Sequence, residues 1–441
     1  MAEKSHGLAL RVAVGSLSSA LEVGAERAPQ AADDLANILN SLGCEIVKLG
    51  AIDTPARAVA AGRRMAETHV HSVVLAATSW YEDYLVLDLL EECEVPVLLW
   101  SLPGMETGAL CGSQQLSSYL KQLDVPYRCI YGSLDSDEQR SQALAFLRAA
   151  SLKHKLRRVR VGFAGHNVAG MTETAVNQIA LKRAIGPRVV PLDLPQLLAR
   201  VKEMTDEKPG KIWKEVVDSC GVCKVSQADG LDSVKVYLAV KELVEQHSLD
   251  GLTIGCYPHL MGRVCLAASL LADEAIPLGC EGDLNGTVGQ VILSLLTGKP
   301  THNTDWLEPL EDGTVVFTHC GSGSFSLAEK AEQITLAPVR LMEQGVCALF
   351  PCRPGPVTLI NLMPCGKRYQ CALLDGQAVS TEMVFPGNPL RVCFSRQPSE
   401  LIDWIHNEGI GHHWMAGYAH VGPEIRQWAS IVGPYLRLIE P

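Results

Sequence analysis

The sequence has few aromatic residues, no excess of positive charge and no long hydrophobic run. Aromatic residues make up 5% of the 441 residues, and the formal net charge is −11. A chain with this charge offers no broad basic face, which argues against nucleic acid or an anionic membrane as a partner. No apolar run approaches the roughly 18 residues that span a bilayer. The polar start, Met1–His6, has no signal-peptide core, so we expect a cytoplasmic protein with a small-molecule partner.

Two familiar short motifs are incomplete in this chain. The 15 cysteines lie mostly in apolar runs, which is typical of reduced, buried side chains. Cys220 and Cys223 form one Cys-x-x-Cys pair, but a structural zinc site would need a second pair at matching spacing. The glycine-containing segment Val161–Asn167 lacks the Gly-x-Gly-x-x-Gly pattern of a dinucleotide site. We therefore expect neither a structural zinc ion nor a bound dinucleotide.

The chain is too long for one hydrophobic core, and its pattern changes twice. Strand-like and helix-like segments alternate from Leu10–Val14 to Val95–Trp100, and the alternation starts again at Val159–Ala164. This alternation predicts parallel sheets with right-handed crossovers. Beyond Thr301, short β-rich runs between turn residues predict an antiparallel sheet or small barrel. We predict an α/β protein with two Rossmann-like α/β domains, 1–155 and 156–300, followed by a β-rich C-terminal domain, 301–441.

An acidic motif lies where a predicted strand gives way to a helix. It reads Gly279-Cys280-Glu281-Gly282-Asp283, before the helix-like segment Gly286–Leu296. Side chains at the carboxyl end of such a strand open into a crevice. One carboxylate could simply cap the helix. Alternatively, Glu281 could join Asp305 and a late histidine to hold a divalent cation such as Mn²⁺. The candidate histidines are His319, His412, His413 and His420.

Such a cluster would support one particular reaction. A cation held by Glu281, Asp305 and one histidine has open positions for two neighbouring oxygens of an open-chain sugar. It would stabilise negative charge as a proton leaves C2. The two carboxylates could then act as general base and acid around an ene-diol, which is aldose–ketose isomerisation. Asp305 could instead cap a turn before Trp306, and His319 could bond only a loop carbonyl.

Two tryptophans lie at the ends of predicted strands of the first domain, at Trp80 and Trp100. Tryptophan is usually mostly buried, so core packing explains both positions. The apolar faces of sugar rings also stack on indole, and strand ends are where α/β proteins bind ligands. We therefore predict that both residues contact a sugar.

The chain resembles the L-fucose isomerase and L-arabinose isomerase superfamily, in its shorter, fucose-isomerase-like branch. The resemblance rests on the acidic motif, on Asp305, on Thr318-His319-Cys320-Gly321 and on Gly411-His412-His413. The order of the three predicted domains also matches, so the resemblance covers nearly the whole chain.

The resemblance implies a Mn²⁺-dependent ketol isomerase. Glu281 and Asp305 would be metal ligands and proton carriers, His413 would complete the metal site, and His412 would lie beside the substrate. Arabinose isomerases use an earlier histidine as well, which corresponds to His319 in this sequence. The fucose-type pattern uses only the two acids and the late histidine.

The resemblance also implies a homohexamer in which the first domain of one subunit covers the active site of its neighbour. Trp80 and Trp100 would then act across subunits. Members of this branch accept varied sugars, among them sulfonated hexoses such as sulfoquinovose. A sulfonate would be bound by arginine, for which Arg263, Arg340 and Arg353 are candidates. Two other functions stay open: a non-catalytic sugar-binding or regulatory protein, and a metal-dependent aldolase or hydrolase.

Overall fold

The computed structural model describes residues 7–441, so the polar start Met1–His6 lies outside the described residues. The chain divides into two compact units. Residues Leu8–Lys155 and Pro423–Gly433 form one unit, and Leu156–Gly422 with Pro434–Pro441 belong to the other. The division into three domains stays a prediction. None of the helices in residues 7–441 is long and apolar enough to cross a membrane.

The unit of residues 8–155 contains a parallel sheet. Its strands are β1 (Arg11–Leu17), β2 (Glu45–Ile52), β3 (Ser72–Ala77), β4 (Val97–Ser101) and β5 (Tyr127–Tyr131). Its helices are α1 (Ala28–Ser41), α2 (Pro55–Thr68), α3 (Tyr84–Glu92), α4 (Ala109–Gln122) and α5 (Asp137–Leu156). The strand order is β2-β1-β3-β4-β5. Every residue of β3 and β4 is buried, as expected for parallel strands covered on both faces. The predicted parallel pairing is confirmed.

A second parallel sheet follows in the other unit. The strands of this region are β6 (Arg160–Ala164), β7 (Arg188–Leu192), β8 (Val222–Cys223), β9 (Gly251–Ile254) and β10 (Leu278–Gly279). The helices are α6 (Gln178–Ala184), α7 (Leu194–Glu203), α8 (Glu207–Asp218), α9 (Gln227–His247), α10 (Cys265–Asp273) and α11 (Leu284–Thr297). The sheet order is β10-β9-β6-β7, with every pair parallel. Helix α11 is buried along most of its length, because it packs against strands from both this sheet and the following β-rich region.

The remaining residues are rich in antiparallel strands. The elements are β11 (Thr301–Pro309), β12 (Thr314–Thr318), β13 (Thr335–Ala337), β14 (Cys347–Leu349), β15 (Gly355–Cys365), β16 (Arg368–Val379), β17 (Leu390–Cys393), α12 (Pro398–Glu408), β18 (His413–Gly417), α13 (Gly422–Val432) and β19 (Leu436–Ile439). Strands β15-β18-β11-β12-β17-β16 pair in this order, and β16 pairs again with β15. These six strands therefore form a closed antiparallel ring, which confirms the predicted β-rich region. Strand β19 joins β16 in parallel, whereas β13, β14 and β8 form a separate small sheet.

One strand of the ring carries little hydrophobic pattern. Strand β11 begins Thr301-His302-Asn303-Thr304 and is nevertheless buried over these residues. Two of its polar side chains are hydrogen-bonded to distant parts of the chain: His302 Nε2 lies 2.9 Å from the carbonyl oxygen of Asn388, and the Thr304 hydroxyl donates to the Trp414 carbonyl at 2.7 Å. Because hydrogen bonds replace hydrophobic burial here, the sequence pattern did not indicate a strand. Strand β18 pairs with β11 along its whole length.

Candidate active site

The turn between β10 and α11 holds Glu281 in an unusual backbone conformation. Glu281 has φ of 63° and Gly282 has φ of 71°. A non-glycine residue in the left-handed region is uncommon and persists only where its surroundings hold it, often at functional sites. A Cβ on Gly282 would lie 2.3 Å from the carbonyl oxygen of His166, so only glycine fits there. The Glu281 amide donates to Cys256 Sγ at 3.4 Å, which fixes the turn against the end of β9.

Strands β11 and β18 bring Asp305 and His413 side by side. The two residues are direct partners in the antiparallel register. His413 Nε2 lies 3.7 Å from Asp305 Oδ1 and 3.1 Å from Glu281 Oε2. His319 follows the neighbouring strand β12, and its Nε2 lies 3.7 Å from the same Glu281 oxygen. Four of the predicted site residues, far apart in sequence, thus meet in one place.

Asp283 orients His413, a role that the sequence reasoning missed. His413 Nδ1 lies 2.8 Å from Asp283 Oδ2, and because a carboxylate only accepts hydrogen bonds, Nδ1 is the donor. The other oxygen, Asp283 Oδ1, accepts from the Gly286 amide at 2.9 Å and caps α11. A histidine held in this way presents Nε2 to the cluster, as metal-binding histidines commonly do. The only signal in the sequence was a second carboxylate two residues after Glu281.

The cluster is strongly coupled electrostatically. Burial alone would raise the pKa of Glu281, but hydrogen bonds and positive charge from His319 and His413 outweigh it and hold this pKa well below its usual range. Burial alone would lower the pKa of His413, but Asp283 and Glu281 raise it to about 10. The pKa of His319 is also raised against burial, mainly by the charges of Cys320 and Asp305. Glu281 is therefore ionised across the physiological range.

The side chains fit a divalent cation of the Mn²⁺ kind. One ligand atom each of Glu281, His319 and His413 lies within 4.8 Å of the others, and the same holds for Asp305, His412 and His413. Asp305 Oδ1 is buried and has no hydrogen-bond partner among the described residues, although it faces His413. Burying an acceptor without a partner costs free energy unless another group interacts with it. Carboxylate oxygens with imidazole nitrogens form a ligand set that suits Mn²⁺.

A cavity of about 190 Å³ opens beside the cluster. Sites for drug-sized ligands typically have volumes of about 300 to 1,000 Å³. This cavity is smaller, so it suits a monosaccharide better than a dinucleotide. Glu281, Asp305 and His319 line the cavity together with apolar and aromatic side chains. The lining also includes Tyr257, Leu307, Arg340, Leu341 and Phe385.

His412 lies next to the cluster but outside the lining of this cavity. Its ring centroid is 4.1 Å from that of His413, and its Nδ1 is 2.8 Å from Glu173 Oε1. The two partners line a second, smaller cavity. The contact of His412 with substrate stays a prediction. His420 is exposed and belongs to neither of the ligand groups found in residues 7–441.

The two predicted stacking tryptophans lie in the unit of residues 8–155. Trp100 is 0% exposed, and its indole N–H donates to the Gly132 carbonyl at 3.0 Å. The expectation that Trp100 offers a ring face to a sugar is wrong, because the side chain is fully packed within its own unit. Trp80 is half-buried and donates to Gln115 Oε1 at 3.1 Å, so its contact with a sugar stays a prediction.

Several known proteins are similar to this chain over most of its length. A sulfoquinovose isomerase from Alkalicoccus urumqiensis is 23% identical over 374 residues, which cover 81% of this chain and 83% of the relative. A sulfoquinovose isomerase from Clostridium sp. (strain MSTE9) is 24% identical, covering 76% and 79%. An L-arabinose isomerase from Nocardioides sp. (strain ATCC BAA-499 / JS614) is 22% identical, covering 75% and 69%.

These similarities support a fucose- and arabinose-isomerase-like superfamily for the chain. The resemblance inferred from the acidic motif and the paired histidines is thereby confirmed. No protein-family model matches the chain. A solved solute-binding protein of an ABC transporter from Burkholderia multivorans aligns with 66% of this chain and 95% of its own, at 11% identity. Its TM-score of 0.17 is too low for a comparison of folds.

Proposed function

We propose that this superfamily member is a metal-dependent aldose–ketose isomerase. The observation that carries the proposal is the meeting of Glu281, Asp305 and His413 beside a cavity of monosaccharide size. Relatives named sulfoquinovose isomerase and L-arabinose isomerase support the same class of reaction.

Mn²⁺ would be held by Glu281, Asp305 and His413, with His319 as a further nitrogen ligand. When bound, the cation supplies positive charge that stabilises the sugar oxygens as a proton leaves C2. Asp305 Oδ1 supports this assignment because it is a buried acceptor with no hydrogen-bond partner among residues 7–441. Asp283 would keep His413 in the tautomer that presents Nε2, because its carboxylate fixes the proton on Nδ1.

Glu281 and Asp305 are the groups that we propose to move protons. One carboxylate removes the proton from C2 of the open-chain aldose while O1 gains a proton, which gives an ene-diol. C1 then gains a proton while O2 loses one, which gives the ketose. A pair of carboxylates in different environments suits this exchange, and the two environments differ here. Glu281 is hydrogen-bonded to His413, whereas Asp305 Oδ1 has no hydrogen-bond partner among the residues that the structure describes.

We propose a sulfonated hexose as the substrate to test first, on the grounds that similar proteins are named sulfoquinovose isomerase. We also propose a homo-oligomer, with the hexamer that the superfamily resemblance implies. Large apolar side chains at the cavity support this: Leu341 is 58% exposed, and Tyr257 and Leu307 are each 40% exposed. Exposed apolar patches of this kind often lie in protein interfaces. A single-chain mass by light scattering would contradict the oligomer.

One experiment tests the reaction class directly. The purified chain is incubated in D₂O with sulfonated, deoxy and unmodified aldoses, once with Mn²⁺ and once after EDTA treatment. We expect proton NMR to show ketose formation and loss of the C2 proton signal with Mn²⁺, and neither after EDTA. Carbon–carbon cleavage would indicate an aldolase instead. Sugar binding without turnover of any aldose would indicate a binding or regulatory protein.

A further inference from the structure

The loop between β13 and β14 carries a positively charged residue, Arg340, into the lining of the cavity. The loop is anchored on both sides of that residue. Val339 is 3% exposed in a small apolar cluster, and its carbonyl accepts from the Glu343 amide at 2.8 Å. The side-chain amide of Gln344 donates to the Met261 carbonyl at 3.1 Å. Arg340 therefore extends from a fixed backbone.

An aromatic ring supports the Arg340 side chain. The guanidinium carbon lies 5.2 Å from the ring centroid of Phe385, which lines the same cavity. Two residues further on, a Cβ on Gly387 would lie 2.0 Å from the His319 carbonyl, so this segment packs directly on the backbone of a cluster residue. A guanidinium over an aromatic face keeps its N–H edge available for hydrogen bonds. The ring thus holds the charge beside the cavity without neutralising it.

Arg340 differs from the other two candidate arginines. Arg263 forms a two-point ion pair with Asp232 at 2.7 and 3.0 Å, and Arg353 lies over the ring of Tyr418 at 5.0 Å. Neither lines the cavity. Arg340 is the only arginine or lysine of the lining, and it forms no ion pair with any acid of residues 7–441. Its charge is available to a ligand.

We propose that Arg340 binds an anionic group, a sulfonate or a phosphate, at the end of an aldose remote from C1. The inference rests on the proposed isomerase function, which places C1 and C2 at Glu281 and Asp305. A planar guanidinium matches two oxygens of a tetrahedral anion with two parallel hydrogen bonds. A neutral hexose offers no group that needs this charge. Arg340 therefore sets the substrate class of the site.

The test compares Arg340→Gln and Arg340→Lys with the wild-type chain on three sugars: a 6-sulfonated hexose, a hexose 6-phosphate and the neutral hexose. Arg396→Gln is the matched control, because Arg396 is an exposed arginine of the same unit outside the cavity. We expect Arg340→Gln to raise KM and the calorimetric Kd for the anionic sugar about 10- to 100-fold, because a hydrogen-bonded charge is lost. kcat and the KM for the neutral hexose should stay within about twofold. Arg340→Lys should keep part of the affinity, because lysine keeps the positive charge but cannot form the two parallel hydrogen bonds of a guanidinium.

Equal binding of the anionic sugar by wild type and Arg340→Gln overturns the proposal. So does an equal loss for the anionic and neutral sugars, because that would show a structural role. The two anions separate the possible sources: tighter binding of the sulfonate assigns a sulfonated sugar, and tighter binding of the phosphate assigns a sugar phosphate. If the wild type turns over no aldose, the isomerase proposal fails, while the calorimetric comparison still decides the role of Arg340.

Discussion

The carboxyl edges of the two parallel sheets of this protein carry different polar groups. At the carboxyl edge of the first sheet, serine hydroxyls are hydrogen-bonded to groups of the same unit. Ser79 Oγ accepts from the Ser19 amide at 3.1 Å, and Ser101 Oγ donates to Ser113 Oγ at 2.7 Å. The edge of the second sheet leads instead into Glu281 and its histidines, next to an Asp305 oxygen that lacks a hydrogen-bond partner in the described chain.

This difference shows which of the two sheet edges is the better candidate for a ligand-binding site. Strand ends of open α/β sheets are the expected places for a ligand, so the fold alone nominates both edges. Counting hydrogen-bond partners separates them. A buried polar group without a partner requires an explanation, and a missing ligand is one. The serine hydroxyls of the first edge are hydrogen-bonded and require no such explanation. The second edge combines the opposite charges of Glu281 and His413 with Asp305 Oδ1, which has no hydrogen-bond partner among the described residues.

The largest effect should come from removing the charges at the second edge. We expect Glu281→Gln and Asp305→Asn each to lower kcat about 100- to 10,000-fold, the usual contribution of a positioned acid or base. Folding should be largely spared in Asp305→Asn, because Asp305 Oδ1 has no hydrogen-bond partner to lose within residues 7–441. Initial rates and circular dichroism measured on the same samples separate the two effects.

Glu245→Gln is the control for these variants, because Glu245 is an exposed acid on α9, outside the cavity. It should keep wild-type kcat. If both site variants kept at least a tenth of the wild-type kcat, the assigned acid and base roles would be wrong, and the contrast between the edges would carry no functional meaning.

A smaller effect should follow from Asp283→Asn. Asparagine is as good a helix cap as aspartate, so α11 should keep its start. The carboxylate charge that holds His413 would be lost, and such substitutions typically weaken metal binding about 10- to 100-fold. Titration of Mn²⁺ by calorimetry or electron paramagnetic resonance checks this. An unchanged Mn²⁺ affinity would mean that Asp283 serves only to cap the helix.

The sequence indicated the chemistry of the site better than the strands that build it. The β-rich runs of the C-terminal region and the alternation before it predicted the sheets correctly, because apolar residues mark those strands. Strands β11 and β18 were missed, and they carry Asp305 and His413 in direct register. Polar residues of β11 are stabilised by hydrogen bonds to distant parts of the chain, a tertiary effect that no local pattern shows.

The site residues were found by type and by resemblance, not by position. Glu281 and the histidines could be nominated because acids and imidazoles are unusual at buried strand ends. Asp283 could not be assigned, because its role depends on His413, which follows 130 residues later. Trp100 was misjudged for a related reason: its partner, the Gly132 carbonyl, lies at the end of a neighbouring strand.

A packing residue of the first edge should affect stability and not catalysis. Trp100→Phe removes the hydrogen bond to Gly132 and some buried volume, so we expect the free energy of unfolding to fall by about 1 to 3 kcal/mol. KM for the sugar should not change, because the ring is fully buried. Trp80→Phe is the companion variant: a raised KM there alone would support the predicted contact of Trp80 with substrate. A raised KM in Trp100→Phe at wild-type stability would contradict the packing role.

The smallest effect should come from Ser101→Ala, which deletes one hydroxyl of the first edge. Ser113 would lose its partner at 2.7 Å but keep the Tyr81 hydroxyl, which lies 3.3 Å away and can still donate to it. We therefore expect the free energy of unfolding to fall by only about 1 kcal/mol, the net value of one hydrogen bond. Urea unfolding followed by circular dichroism measures the shift in midpoint, and Ser118→Ala on the exposed face of α4 is the control. A loss of several kcal/mol would show that the hydroxyls act as one network, and a fall in kcat at unchanged stability would show that this edge, too, serves the reaction.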